Sequence, residues 1–174
     1  YFFCDFQELL INMVVSPELV SALLQMVGEW NLRAAYQMCE AGIDCVGFVE
    51  DMGTTQSLLF RPAFYDKYLF SWHRALCDLV HSYGAHVHMH SHGNINKILD
   101  RVVDSGIDML NPLDPTEGMD LRAIKEHFGD RLTLVGGMDK FIFDQDLEEI
   151  EARLQSIIDI AVYDGRFILM DPSG

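Results

Sequence analysis

Positive charge is scarce in this sequence. Of 174 residues only 12 are Lys or Arg, against 27 Asp or Glu, for a formal net charge of −15, and no two basic residues are adjacent. Binding a phosphate backbone or an anionic membrane surface takes clustered cations, so neither nucleic acid nor a membrane is an expected partner. Uninterrupted apolar stretches run to only a few residues, far short of the ~20 that a spanning helix needs. The four cysteines (Cys4, Cys39, Cys45, Cys77) include no CxxC pair and no secreted-scaffold spacing, which fits a reducing cytoplasm. Tyr1-Phe2-Phe3 lacks the basic region and cleavage site of a signal peptide. No GxGxxG or GxxxxGK[ST] follows any apolar run, and no Ser or Cys is set up as a nucleophile elbow.

What is present reads as one globular domain over residues 1–174. Apolar residues make up 49% and charged residues 22%, enough for a core and too apolar for disorder. The chain opens without Met and stops at Asp171-Pro172-Ser173-Gly174, a turn sequence directly after an apolar run, as expected of a piece of a longer chain.

The pattern repeats. A short apolar segment through Phe6, Leu9, Leu10 and Met13 suggests a first helix. Ser16-Pro17-Glu18 then opens a long one, with Leu19, Leu23, Met26, Val27, Trp30, Ala34 and Met38 at helical spacing and Gly42 as its stop. Cys45–Val49 follows as a buried strand. Pro62 opens a helix whose Tyr65, Tyr68, Leu69, Trp72, Leu76, Leu79 and Tyr83 are expected in the core, ahead of a strand over 85–90. Three more units end in strands at 107–110, 132–135 and 167–170, each preceded by a helix and a glycine. Helix-then-strand units imply parallel strands joined by helical crossovers, expected to be buried on both faces.

A doubly wound sheet and a (β/α)₈ TIM barrel both fit that order. The absence of nucleotide-binding glycine motifs removes the commonest reason for the open sheet. Polar residues instead gather after almost every strand (Glu50-Asp51, His90-Ser91-His92, Asn111, Asp114, Asp139), as on the catalytic face of a barrel. The expected fold is therefore α/β, a C-terminal TIM-barrel fragment of about five β/α units.

The sharpest local signal is Ala85-His86-Val87-His88-Met89-His90-Ser91-His92-Gly93. Strand alternation puts the four histidines on one face and Val87 and Met89 on the other. The apolar side suits the helices, which leaves the histidines in the lumen, His90 and His92 nearest the rim. A His-x-His pair about 6.5 Å apart along a strand can hold a transition metal, so both are candidate metal ligands. Hydrogen-bonded packing is the alternative, and the deeper His86 and His88 are read that way. Glu50 and Asp51, adjacent at a strand end, point to opposite faces, so one of them should face the pocket as a metal ligand or general acid/base. Asp139, after Gly136-Gly137-Met138, is a third catalytic candidate. Loop-capping is the competing role for all three.

These residues together resemble the uroporphyrinogen decarboxylase superfamily, which includes that decarboxylase and zinc-dependent methyltransferases that use methylated corrinoid proteins. The likeness is carried by Asp44 to Asp51 with Gly53 and Thr54, by Arg61-Pro62, by His90-Ser91-His92-Gly93, by Gly106-Ile107-Asp108 and by Gly136-Gly137-Met138-Asp139. It implies a (β/α)₈ barrel, agreeing with the reading above. It leans to the methyltransferase branch, whose strand-end motif is His-x-Cys-Gly with a later cysteine as a further zinc ligand. Here His90 matches the His, while His92 stands in the place of the Cys, and no later cysteine is present. On this resemblance zinc is the expected cofactor. A small molecule and a corrinoid-carrying protein are the expected partners, and a second copy could cover the exposed edge strand. The decarboxylase branch is metal-free and binds a polycarboxylated tetrapyrrole through arginines. An acidic mouth with Arg61 as its expected cation disfavours it. A third reading is a non-catalytic barrel that binds a ligand or a corrinoid protein.

Overall fold

The computed structural model describes residues 4–161 and 165–171. The expectations for Tyr1-Phe2-Phe3 and the Pro172-Ser173-Gly174 turn lie outside the described residues. The elements are α1 (Phe6–Val15), α2 (Pro17–Glu40), β1 (Cys45–Val49), α3 (Pro62–Phe64), α4 (Phe70–Ser82) and β2 (His86–His90), then α5 (Leu99–Asp104), β3 (Met109–Asn111), α6 (Leu121–Phe128), β4 (Thr133–Gly137), α7 (Leu147–Ala161) and β5 (Phe167–Met170). A π-helical turn, Tyr65–Leu69, joins α3 to α4. The five strands form one parallel sheet in chain order, β1-β2-β3-β4-β5. Stepping always to the same side is how a (β/α) barrel is laid down, whereas a doubly wound sheet reverses direction part-way. The sheet is a run of barrel staves.

Register sets which side chains meet. Val46 pairs with Val87, Phe48 with Met89 and Val49 with His90. His90 pairs with Asn111 across β2 and β3. Val46, Val87, Met89, Leu110 and Leu134 lie on the helix side, none more than 5% exposed. They join Ile95, Ile98, Leu99, Val102, Val103, Ile124 and Phe128 in one continuous core.

The expectation that strands are buried on both faces fails on the inner side. Cys45, Gly47, Val49 and His86 are exposed there, as is Ile168 on β5, while the exposed Leu169 lies on the helix side of that strand. The five strands among the described residues do not close on themselves, so within this span the face that would line a lumen is uncovered.

Helix α2 also differs from its sequence pattern. Leu19, Met26, Trp30 and Met38 are exposed, and the buried face is Val20, Gly28, Ala35 and Cys39. The cause is Trp72 of α4. Its indole lies where a Cβ at Gly28 would stand, so close packing selects the small-residue side of α2 over its larger apolar stripe. Tyr65 of the π-helical turn and Leu76 of α4 are core as expected, but Trp72 is half-buried. Tyr83 is exposed and donates to Glu40 Oε1 at 2.6 Å.

Candidate functional site

The C-terminal ends of β1 and β2 are tied together by backbone. Glu50 N–H donates to the His90 carbonyl at 2.9 Å and Asn94 N–H to the Thr54 carbonyl at 2.7 Å. Gly53 and Gly93 touch directly. A Cβ at Gly93 would collide with the Gly53 carbonyl carbon, and Gly93 sits at φ +89°, in the left-handed region that favours glycine. This crossing turns the chain just after β2 ends at His90. The imidazoles of His90 and His92 consequently stand edge to face with centroids 4.9 Å apart.

Asp51 and Glu50 diverge, as strand alternation requires. Asp51 faces the histidines. Its Oδ1 accepts the His92 N–H at 2.8 Å and lies 3.8 Å from His90 Nε2. Glu50 faces the helices instead. Its Oε2 meets His73 Nε2 at 2.6 Å, and His73 Nδ1 meets the Tyr65 hydroxyl at 3.0 Å. Tyr65 is fully buried, which raises its phenol above the ordinary range, so it stays a proton donor to the ring. His73 is the residue that the sequence reading passed over. It shares the stripe of Leu76, Cys77 and Val80 at helical spacing, a polar residue at a core position of α4.

A second carboxylate reaches the rim from the loop after β3. Glu117, 6% exposed, accepts the Gly93 N–H at 2.7 Å and Lys140 Nζ at 3.3 Å, and both its oxygens lie 3.3 Å from His92 Nδ1. Burial alone would push its carboxyl up. The Gly93 N–H, His92 and Lys140 outweigh that and hold it below the usual carboxylate range. Lys140 is also 3.9 Å from Asp114 Oδ2, a fully buried oxygen that makes no hydrogen bond. So a cation at the rim is Lys140, where the sequence reading named Arg61. Neither Glu117 nor Lys140 carries a local signal, since each matters only through groups brought in from other loops.

Asp139 belongs elsewhere. Its Oδ1 accepts the Phe141 N–H at 2.9 Å and its Oδ2 pairs with Arg153 of α7, in the wall of a cavity of about 490 Å³ between α6 and α7. The structure therefore brings His90, His92 and Asp51 together, and keeps Glu50 and Asp139 each in a private pair.

Zinc takes three or four protein donors. His92 Nδ1 faces the Glu117 carboxylate, as in ligating histidines, which donate their other ring N–H, whereas His90 Nδ1 accepts from the Asn111 side-chain N–H at 3.1 Å. Among the described residues, however, no group of three His, Cys, Asp or Glu side chains is placed to hold a metal ion. The described residues place two imidazoles side by side at this rim, short of the three protein donors that a zinc site needs.

The sequence profile of the uroporphyrinogen decarboxylase (URO-D) family matches residues 3–171. The chain belongs to the uroporphyrinogen decarboxylase family. Within curated proteins it is similar to methylcobamide:CoM methyltransferase MtbA of Methanosarcina acetivorans, 20% identical over 153 residues, and to MtbA of Methanosarcina mazei, 21% identical over 153 residues. Each alignment covers 87% of this chain and 43% of the relative, so the chain spans less than half the length of these curated relatives. A solved methyltransferase from Methanosarcina mazei superposes with a TM-score of 0.72 at 20% identity, covering 97% of this chain and 49% of that one. At that identity the superposition speaks for the fold, and it agrees with the barrel order of this URO-D family sheet. Among the described residues, no helix is long and apolar enough to cross a membrane.

Proposed function

We propose that this chain contributes the working rim of a methyl-transferring URO-D family barrel, which takes a methyl group from a corrinoid carried by a partner protein and gives it to a small acceptor. The observation that carries the reading is the convergence of His90, His92 and Asp51 at the C-terminal ends of adjacent strands, where barrel enzymes place their chemistry. The similarity to MtbA supports the reaction class. Zinc, held by His90 and His92 together with donors from outside the described residues, would act as a Lewis acid on the acceptor.

The chain's own groups divide the remaining work. Asp51 fixes the His92 backbone and presents a carboxylate beside His90 that can take the acceptor's proton. Glu50, held by His73 Nε2, is less free to do so and serves to tie β1 to α4. Asp139 holds its own loop through Phe141 and Arg153. Asp51 and Glu117, with Asp114 buried beneath them and Lys140 as the partner cation, give the mouth an acidic balance suited to a neutral or cationic acceptor, against a polycarboxylated tetrapyrrole.

The test is metal content by mass spectrometry on the purified protein, beside demethylation of methylcobalamin followed by absorbance, for wild type, His90→Ala and His92→Ala. Bound zinc and turnover that both fall in the two variants support the reading. Metal content and turnover untouched by both substitutions would sink it. Tetrapyrrole decarboxylation by the same preparation would move the family's other chemistry to the front.

A further inference from the structure

Glu117 stands under the rim in an arrangement that assigns a proton. Its side chain is 8% exposed, and it receives Gly93 N–H at 2.7 Å and Lys140 Nζ at 3.3 Å. Two donors of this kind, one of them cationic, keep a buried carboxylate ionised. An ionised carboxylate has only lone pairs to offer. Where it faces His92 Nδ1, at 3.3 Å from each oxygen, the ring nitrogen must therefore be the donor. A neutral imidazole carries one ring proton, and which nitrogen holds it is set by the bond the other makes. With the proton on Nδ1, Nε2 carries the lone pair. Among the described residues no hydrogen bond occupies that Nε2, and the side chain is 34% exposed at the mouth.

We infer that Glu117 is the positioning residue for His92: it fixes the ring as the Nδ1–H tautomer and leaves Nε2 unprotonated at the open rim. Lys140 is the counter-ion that makes this possible, since it neutralises Glu117 without touching the ring. The inference rests on His92 being a working group of the rim, and it adds the device that readies it. Histidine in water favours the proton on Nε2, the opposite arrangement. Without Glu117 the nitrogen that should bind a metal or accept a proton would be capped by hydrogen in most molecules.

The experiment reads the tautomer directly. The intact protein, labelled with ¹⁵N-histidine, is examined by long-range ¹H–¹⁵N spectroscopy about two units above the ordinary histidine pKa, where the rings are neutral. The His92 signal is identified by its loss in His92→Ala. Wild type is expected to show the Nδ1–H pattern, and Glu117→Ala to move His92 mainly to Nε2–H. Glu117→Gln covers the case in which the alanine variant does not fold. Its amide oxygen still accepts from Gly93, so the loop stays in place, reported by an unshifted Gly93 amide. The ring then faces a neutral group able to donate as well as accept, and a mixture of tautomers is expected. An Nε2–H pattern in wild type, or an unchanged Nδ1–H pattern in the folded variants, would overturn the inference. This readout needs neither metal nor turnover, so it fails separately from the proposed function. Loss of zinc in His92→Ala with the wrong wild-type tautomer sinks only the role of Glu117. The right tautomer with no metal and no turnover sinks only the methyl-transfer reading.

Discussion

Replacing Tyr65 by Phe isolates the buried relay behind Glu50. The substitution keeps the ring, which packs edge-on to His73 at 5.4 Å and to Phe70 at 6.4 Å between centroids, and removes only the hydroxyl. No cavity larger than an oxygen is made. What changes is His73 Nδ1, which loses its 3.0 Å partner in a residue only 5% exposed, away from any replacement by bulk water. Leaving one buried polar atom unpaired costs about 1–3 kcal/mol. For a chain of this size each kcal/mol lowers the melting temperature by about 2–4 °C, so the expected loss is about 2–12 °C. Circular dichroism melts of the two proteins measure it. A double-mutant cycle with Glu50→Gln sharpens the result, because both substitutions act on the same ring. A coupling of about 0.5–3 kcal/mol is expected for groups sharing one network. Equal melting temperatures for wild type and Tyr65→Phe, or strict additivity in the cycle, would refute the relay.

Two further substitutions test the frame around the site. Gly93→Ala combines a left-handed backbone, worth about 1–2 kcal/mol, with a Cβ driven into the Gly53 carbonyl. It should lower the urea midpoint and shift the Gly53, Thr54 and Asn94 amides together; a variant as stable as wild type would show that the loops part freely. Asp108→Asn tests the opposite end of the sheet, where Asp108 Oδ2 accepts from Val87 N–H at 2.7 Å and meets His81 Nε2 at 2.8 Å. Burial alone raises this carboxyl, but the His81 and Val87 bonds outweigh it and hold it below the ordinary range. A folded value below the unfolded one means stability that is fully present above about pH 4 and is lost as pH falls through the folded value. The stability gap between wild type and Asp108→Asn, measured by urea titration, should therefore be largest near neutrality and shrink on acidification; a gap that stays constant or grows would contradict the assignment.

Much of this architecture was legible in the order of residues. Period-2 and period-3.6 patterning, with glycine after nearly every helix, located the strands to within two residues; β1 fell on 45–49 and β5 on 167–170 as expected. The same alternation correctly separated Asp51 from Glu50 and placed the strand histidines opposite Val87 and Met89, because side-chain direction along a strand is a local property. The buried face of α2 was not legible. Its larger apolar stripe reads as the core side, and only the approach of Trp72 to Gly28 turns the helix the other way.

By itself, then, the sequence determined the α/β order, the family and the two rim histidines, since each depends on neighbours along the chain. Which acid serves which histidine was decided by tertiary structure alone. Glu117 lies 25 residues from His92, and His73 lies 23 from Glu50. Such pairs exist only where separate loops and helices are carried to the same end of a parallel sheet. The sheet also decided what faces solvent. A strand pattern specifies two faces, but whether the inner one is covered depends on how many strands come round to meet it, and the five among the described residues do not close that ring.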